Sequence, residues 1–149
     1  MRKSYIGNGK GIESKLLMST RIEQSEPCGC IGVQVLEIDC PVKGCKTLAP
    51  VMSDLVINGK YRRMGLAEDL IQAAEDLASS EWGYNECYLF VDEENTPALR
   101  LYKKLGYKVV DKETDTQILR PNTTGGIGKV SAVILRMRKK IMQRKGKWW

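Results

Sequence analysis

Residues 51–91, VMSDLVINGKYRRMGLAEDLIQAAEDLASSEWGYNECYLFV, decide the fold. Val51–Ile57 is a short apolar run of strand character, stopped by the turn dipeptide Asn58-Gly59. From Gly65 to Ser80 the period changes. Leu66, Ala67, Leu70, Ile71, Ala74, Leu77 and Ala78 fall on one helical face, with Glu68, Asp69, Gln72, Glu75 and Asp76 on the other. Glu86–Val91 is a strand again. Strand, helix and strand in this order predict a βαβ unit, its two strands parallel and joined by a right-handed crossover.

Upstream, Lys15–Gln24 and Gly29–Ile38 read as two strands. In the second, Ile31, Val33 and Val35 alternate with Gly32, Gln34 and Leu36. The short connection through Glu26 and Pro27 predicts an antiparallel pair. Residues 1–14 read as an irregular polar arm, and Asp39–Pro50, with two prolines and a glycine, as a loop. Downstream, a second helix is fully punctuated: Thr96 can cap it, Pro97 suits its first position, and Gly106 suits the left-handed residue after its end. Tyr107–Asp111 and Val130–Met137 are the last strands. The class is α/β (α+β): one domain over residues 1–149, with a mixed sheet and two helices.

Composition narrows the chemistry. The chain of 149 residues has 24 Lys and Arg, 18 Asp and Glu, five cysteines and no histidine. Without histidine there is no Ser-His or Cys-His nucleophile pair, no imidazole base and no His-bound zinc. Proton transfer falls to carboxylates, Tyr, Cys, Lys or water. Seven of the 24 basic residues lie in residues 136–149, which contain no acid; without them 17 basic residues face 18 acidic ones. The net charge of +6 therefore describes a basic C-terminal extension rather than a basic face. This weighs against a dedicated nucleic-acid binder. That extension, ending in Trp148-Trp149, reads as solvated, with acidic lipid, RNA or a partner protein as the alternatives.

No segment is apolar for long enough to span a membrane, and no targeting segment is visible at the N-terminus. The odd cysteine count argues against a disulfide framework and for a reducing, intracellular setting. Cys28, Cys30, Cys40 and Cys45 lack the paired C-x-x-C hooks of a zinc site, so no metal is predicted. Cys87 alternates with Leu89 and Val91 and reads as core.

The segment between the βαβ unit's first strand and its helix, Tyr61-Arg62-Arg63-Met64-Gly65-Leu66-Ala67, carries the chemistry. No Ser, Thr, Asp or Asn stands before the helix to cap it, so its first N–H groups are open. Gly65 and Ala67 keep the approach narrow, and Arg62 and Arg63 flank the positive end of the helix dipole. Together these read as a pyrophosphate site, against the plainer alternative of a turn with surface arginines.

Two runs, SDLVINGKYRRMGLAEDLI (residues 53–71) and CYLFVDEENTPALRLYKKLGY (residues 87–107), resemble the GNAT superfamily of acetyl-CoA-dependent N-acetyltransferases. Within it, the wording is most similar to plastid protein acetyltransferases of plants and algae. The Q/R-x-x-G-x-G/A motif falls on Arg62, Gly65 and Ala67, and N-x-x-A-x-x-x-Y-x-x-x-G-F/Y on Asn95, Ala98, Tyr102, Gly106 and Tyr107. The resemblance implies acetyl-CoA as acetyl donor, with its pyrophosphate on Arg62, Arg63, Met64, Gly65, Leu66 and Ala67. It implies pantetheine along Leu55, Val56 and Ile57, further contacts from Asn95 and Ala98, and Tyr102 as the acid that protonates the departing thiolate. Read alone, Asn95 before Thr96-Pro97 is also ordinary helix-capping chemistry, and the two roles are compatible. Read alone, Tyr102 shares a helix face with Ala98 and Leu105 and could simply be core.

Relatives often place a glutamate base on the strand CYLFV, where this chain has Phe90. Asp54 is the candidate base, or else a loop-bonding residue. The resemblance also implies two helices ahead of the antiparallel strands, for which the N-terminal arm has no room. Those elements are expected to be reduced or missing: either the chain is a trimmed one, or the acceptor site is open, or a second copy or a partner subunit completes it. The expected function is acetylation of a protein N-terminal or lysine amine. The alternatives are a catalytically weak module for coenzyme binding or assembly, and an acetyltransferase for small-molecule amines. The expected compartment is cytoplasm or plastid.

Overall fold

The structure is a computed structural model that describes residues 5–6, 14–20, 26–40 and 44–142. In chain order its elements are strands β1 (Tyr5–Ile6), β2 (Ser14–Thr20), β3 (Pro27–Asp39) and β4 (Lys46–Ile57), helix α1 (Leu66–Ser80), strand β5 (Glu86–Asp92), helix α2 (Thr96–Lys104), and strands β6 (Lys108–Pro121) and β7 (Ile127–Lys140). This is the α+β class expected, with a mixed sheet and two helices. The chain forms two compact units, Met1–Tyr88 with Lys140–Trp149 and Leu89–Lys139.

In the first unit β1, β2, β3 and β4 lie side by side and antiparallel. Ile31, Val33 and Val35 are buried as their alternation predicts, and α1 packs on β2, β3 and β4 through Leu70, Ile71, Ala74, Leu77 and Ala78. A second small cluster joins Ile38, Ala49, Val51 and Tyr88, with Leu36 against it. β3 and β4 approach unusually closely at one end. A Cβ on Gly29 would lie 2.7 Å from the Val56 carbonyl oxygen and 2.7 Å from Ile57 Cδ1. Backbone cannot yield as a side chain does, so Gly29→Ala should cost about 1–3 kcal/mol. Thermal denaturation should show Tm falling by about 3–9 °C. Gly59→Ala, which meets nothing within 4 Å, is the matched control.

In the second unit β6 pairs antiparallel with β7, and β7 lies beside β5. Its core holds Leu89, Val91, Leu99, Tyr107, Ala132, Leu135 and Met137. The pairing register slips twice, each time with an extra residue in β6, at Val110 and near Asp115 (φ 61°). Each slip moves the following side chains to the other face.

Several expectations are corrected. Residues 46–50 are strand, not loop; Pro50 sits buried within β4, which forgoes one ladder hydrogen bond there. The N-terminal arm is not wholly irregular, since Tyr5 and Ile6 pair with Leu17 and Leu16. β2 begins at Ser14 and is described to Thr20; residues 21–24 of the predicted strand lie outside the described residues. Glu75, assigned to the solvent face of α1, is only 4% exposed.

Cys40 and Cys45 form a disulfide, while Cys28, Cys30 and Cys87 are outside any disulfide. An odd total forbids complete pairing but not one bridge, and the turn between β3 and β4 brings the two Cα atoms to 5.2 Å. The cysteine count thus no longer argues for a reducing compartment. Cys87 is fully buried, as predicted. The basic extension does not start at residue 136. β7 runs to Lys140, Arg136 is 8% exposed and pairs with Asp111 at 2.9 Å, and Lys139 lies 5.6 Å from the Tyr107 ring centroid. Residues 143–149, with the paired tryptophans, lie outside the described residues.

Candidate functional site

In the first unit, β4 carries an extra residue opposite β3. Cys30 faces Val56 but Gly32 faces Ser53, and Asp54 takes a left-handed φ of 52°. An extra residue of this kind frees backbone from the ladder and re-aims the side chain. Asp54 is exposed there, its Oδ2 accepting from Ser53 Oγ at 2.9 Å. Beyond the bulge, Leu55 and Ile57 are half-buried and Val56 is exposed.

The chain then turns on Asn58. Its N–H donates to Cys28 O at 2.8 Å, and its Oδ1 accepts from the Lys60 N–H at 3.1 Å. A 3-10 turn at Gly59–Tyr61 follows. Tyr61 is buried and donates through its hydroxyl to Glu26 Oε2 at 2.7 Å, while Lys60 Nζ reaches Glu26 Oε1 at 3.2 Å. Glu26, which the sequence marks only as part of a connection between strands, thus anchors the loop from β3's side; nothing local in the sequence signals that role.

Anchored in this way, Arg62, Arg63, Met64 and Gly65 are all exposed. Arg62 Nε donates to Ile57 O at 3.4 Å, leaving the rest of its guanidinium unengaged among the described residues. Arg63 (φ 59°) and Gly65 (φ 78°) are both left-handed, so the chain reverses into α1 without a capping side chain. The Asp69 N–H, donating to Gly65 O at 3.1 Å, is the first to find an acceptor within the helix. The space where a Cβ on Gly65 would stand is open to 4 Å. An uncapped helix start, open space above it and two exposed guanidinium groups fit an anionic diphosphate. Leu66 and Ala67 are half-buried beneath.

The second unit holds the remaining predicted residues on α2. Thr96 is not the cap. Asn95 is, its Oδ1 accepting from the Ala98 N–H at 3.3 Å, and Thr96 opens the helix with Pro97 behind it. An Asn carboxamide satisfies that N–H as well as a hydroxyl would, which moves the start by one residue. At the other end Gly106 is left-handed, as predicted, with φ 95°. The Tyr107 N–H donates to Tyr102 O at 3.0 Å and the Gly106 N–H to Lys103 O at 3.1 Å, a Schellman ending.

The accompanying apolar contact is between Tyr102 and Tyr107, whose rings meet edge-on with centroids 6.0 Å apart. Tyr107 is 2% exposed. A buried ring and two backbone bonds therefore seat Tyr102, whose own hydroxyl has no protein partner among the described residues. Burial pushes that phenol above its ordinary value, because the phenolate would lose hydration. Ala98 is half-buried and Asn95 exposed. Phe90 is 42% exposed on β5, a large apolar side chain facing solvent.

Among the described residues no group of three His, Cys, Asp or Glu is placed to hold a metal, and no helix is long and apolar enough to cross a membrane.

The family model described as Acetyltransferase (GNAT) family matches residues 10–107. The chain belongs to the GNAT family. Over 51 residues this GNAT chain is 43% identical to an N-alpha-acetyltransferase of Sulfurisphaera tokodaii, a match covering 34% of this chain and 30% of the relative. Over 56 residues it is 38% identical to the N-terminal acetyltransferase B complex catalytic subunit NAA20 of Arabidopsis thaliana, covering 36% and 30%. The match thus spans less than a third of the length of these curated relatives. The crystal structure of Arabidopsis thaliana NAA60 in complex with a bisubstrate analogue shares the GNAT fold at a TM-score of 0.64. The identity is 19%, over 91% of this chain and 79% of that one.

Proposed function

We propose that this chain moves the acetyl group of acetyl-CoA to the N-terminal α-amine of a protein, with Tyr102 as the proton donor. The observation that carries the reading is the uncapped start of α1 between the left-handed Gly65 and two exposed arginines, in a chain of the GNAT family. The names of the relatives support the choice of an α-amine. Acetyl-CoA, when bound, supplies a thioester whose acyl carbon is open to attack by an amine. Arg62, Arg63 and the N–H groups of the first turn hold the diphosphate. Tyr102 Oη gives its proton to the sulfur as the C–S bond breaks, while the proton released by the amine passes to Asp54 or to water. The Arabidopsis relative named as a catalytic subunit supports a partner chain completing the acceptor site here.

The choice of amine follows from protonation. Near pH 7.5 roughly a quarter of an α-amine with pKa about 8 is neutral, against about 0.1% of a lysine at 10.4. An exposed Asp54 is modest help, so the acceptor that needs least help is favoured. The test is a pair of peptides, one with a free α-amine and no lysine, the other blocked at its N-terminus with a free lysine, followed by mass spectrometry across pH. For the α-amine, kcat/KM should climb about tenfold per pH unit below about 7 and level off near 8. With the phenol pushed up by burial, no fall from its ionisation should appear below about pH 10. Acetylation confined to the blocked peptide would overturn the α-amine assignment. Tight coenzyme binding with neither peptide modified would favour a binding module.

A further inference from the structure

We propose that Arg120 is a positioning residue for α2. From β6 it holds the turn Asp92-Glu93-Glu94 at two carboxylates, fixing the seat from which Asn95 starts the helix that carries Tyr102. The proposal rests on the reading of Tyr102 as the acid.

Asp92, the last residue of β5, and Glu93 and Glu94 after it are three consecutive acids ahead of α2, and their mutual repulsion favours an open turn. The structure closes it instead. The Arg120 guanidinium pairs with Asp92 Oδ2 through one terminal nitrogen and with Glu94 Oε2 through the other. Lys112, also on β6, meets Glu93 at 2.8 Å, and the Glu93 N–H donates to Val133 O on β7 at 2.9 Å. Inside the turn the Glu94 N–H donates to Asp92 Oδ1 at 3.0 Å and the Asn95 N–H to Asp92 O at 2.9 Å. Asp92 thus faces Arg120 with one oxygen and the turn's backbone with the other. The Arg120 pairing holds its carboxyl below the usual range, so the acceptor stays ionised.

Isolated exposed ion pairs contribute little, but one planar guanidinium across two carboxylates fixes geometry. The next residue is Asn95, and Tyr102 follows seven residues later on nearly the same face, about 10 Å along the axis. The Schellman ending pins the far end of α2 to Tyr107. Arg120 supplies the matching constraint at the near end, and a tilt left free there would be felt at the hydroxyl.

The test is amide hydrogen exchange and steady-state kinetics on the full chain, with Arg120→Ala and Arg120→Lys. In Arg120→Ala, exchange at the Asn95, Ala98 and Leu99 amides should speed up about tenfold or more, with β7 and α1 amides unchanged. The kcat should fall about 10- to 100-fold. The Kd for acetyl-CoA should move less than about threefold, because the diphosphate contacts lie on residues 62–67. Arg120→Lys, which keeps the charge but cannot span both acids, should recover part of each effect.

Unchanged exchange at these three amides, or acceleration spread evenly through β6 and β7, would overturn the proposal in favour of plain hairpin stability. Local acceleration with unchanged kcat would overturn it too, provided that Tyr102→Phe is slow. If Tyr102→Phe is as fast as wild type, the acid assignment itself is what falls, and exchange alone then decides whether Arg120 holds the turn.

Discussion

Tyr102→Phe should lower kcat by about 10²- to 10⁴-fold while leaving the Kd for acetyl-CoA within about twofold of wild type. The substitution removes one oxygen and nothing else. The ring keeps its edge-on contact with Tyr107, and the backbone bond from the Tyr107 N–H to Tyr102 O is untouched. The hydroxyl has no protein partner among the described residues, so its loss strands no donor or acceptor. Stability should therefore be unchanged, and a fall in rate can be charged to the missing proton.

A thiolate leaving without that proton must wait for water, and the loss should be largest for slow amines whose departure step is rate-limiting. The measurement is single-turnover transfer to an α-amine peptide beside calorimetric titration of the coenzyme. An unchanged rate with coenzyme bound would remove Tyr102 from the chemistry and leave it as packing.

The parts of the fold legible in the chain are those set by neighbours in sequence. The buried face of α1, the alternation of Ile31, Val33 and Val35, the open helix start at Gly65 and the left-handed Gly106 each depend on a few consecutive residues. All appear in the structure. What escaped was decided by pairing between distant segments. The left-handed Asp54 is a slip of one residue between β3 and β4, and no local pattern records which residue will lack a partner.

The hairpin of β6 and β7 is longer than predicted because extra residues at Val110 and near Asp115 interrupt the period of two that marks a strand. Glu75 illustrates the opposite failure. A helical wheel assigns a charged residue to solvent, yet the side chain is buried and partnered. The acids of the β5–α2 turn are consecutive in the sequence, but Arg120 lies 26 and 28 residues from Glu94 and Asp92, so no local pattern names their partner.

Gly65→Glu should weaken acetyl-CoA binding by about 100-fold or more, the largest loss expected at any single position of the first unit. Two physical effects act together. The carboxylate would stand at the open face above the α1 start, where the diphosphate is held, and replace attraction by repulsion in the field of the helix dipole. Any Cβ at φ 78° also carries a cost of about 1–2 kcal/mol in the left-handed region.

Gly65→Asn separates the two, since Asn tolerates this conformation and brings no charge. It should retain most of the affinity lost in the Glu variant if charge dominates. Arg62→Ala removes charge-assisted hydrogen bonds worth about 1.5–3 kcal/mol, or about 10- to 150-fold. Because Arg62 Nε also donates to Ile57 O, part of that loss would come from a loosened strand end. Binding should weaken steeply with added salt in the wild type and less so in Arg62→Ala. Isothermal titration with acetyl-CoA across ionic strength reads all three variants. Equal affinity in Gly65→Glu and wild type would place the diphosphate elsewhere and remove the observation on which the coenzyme assignment stands.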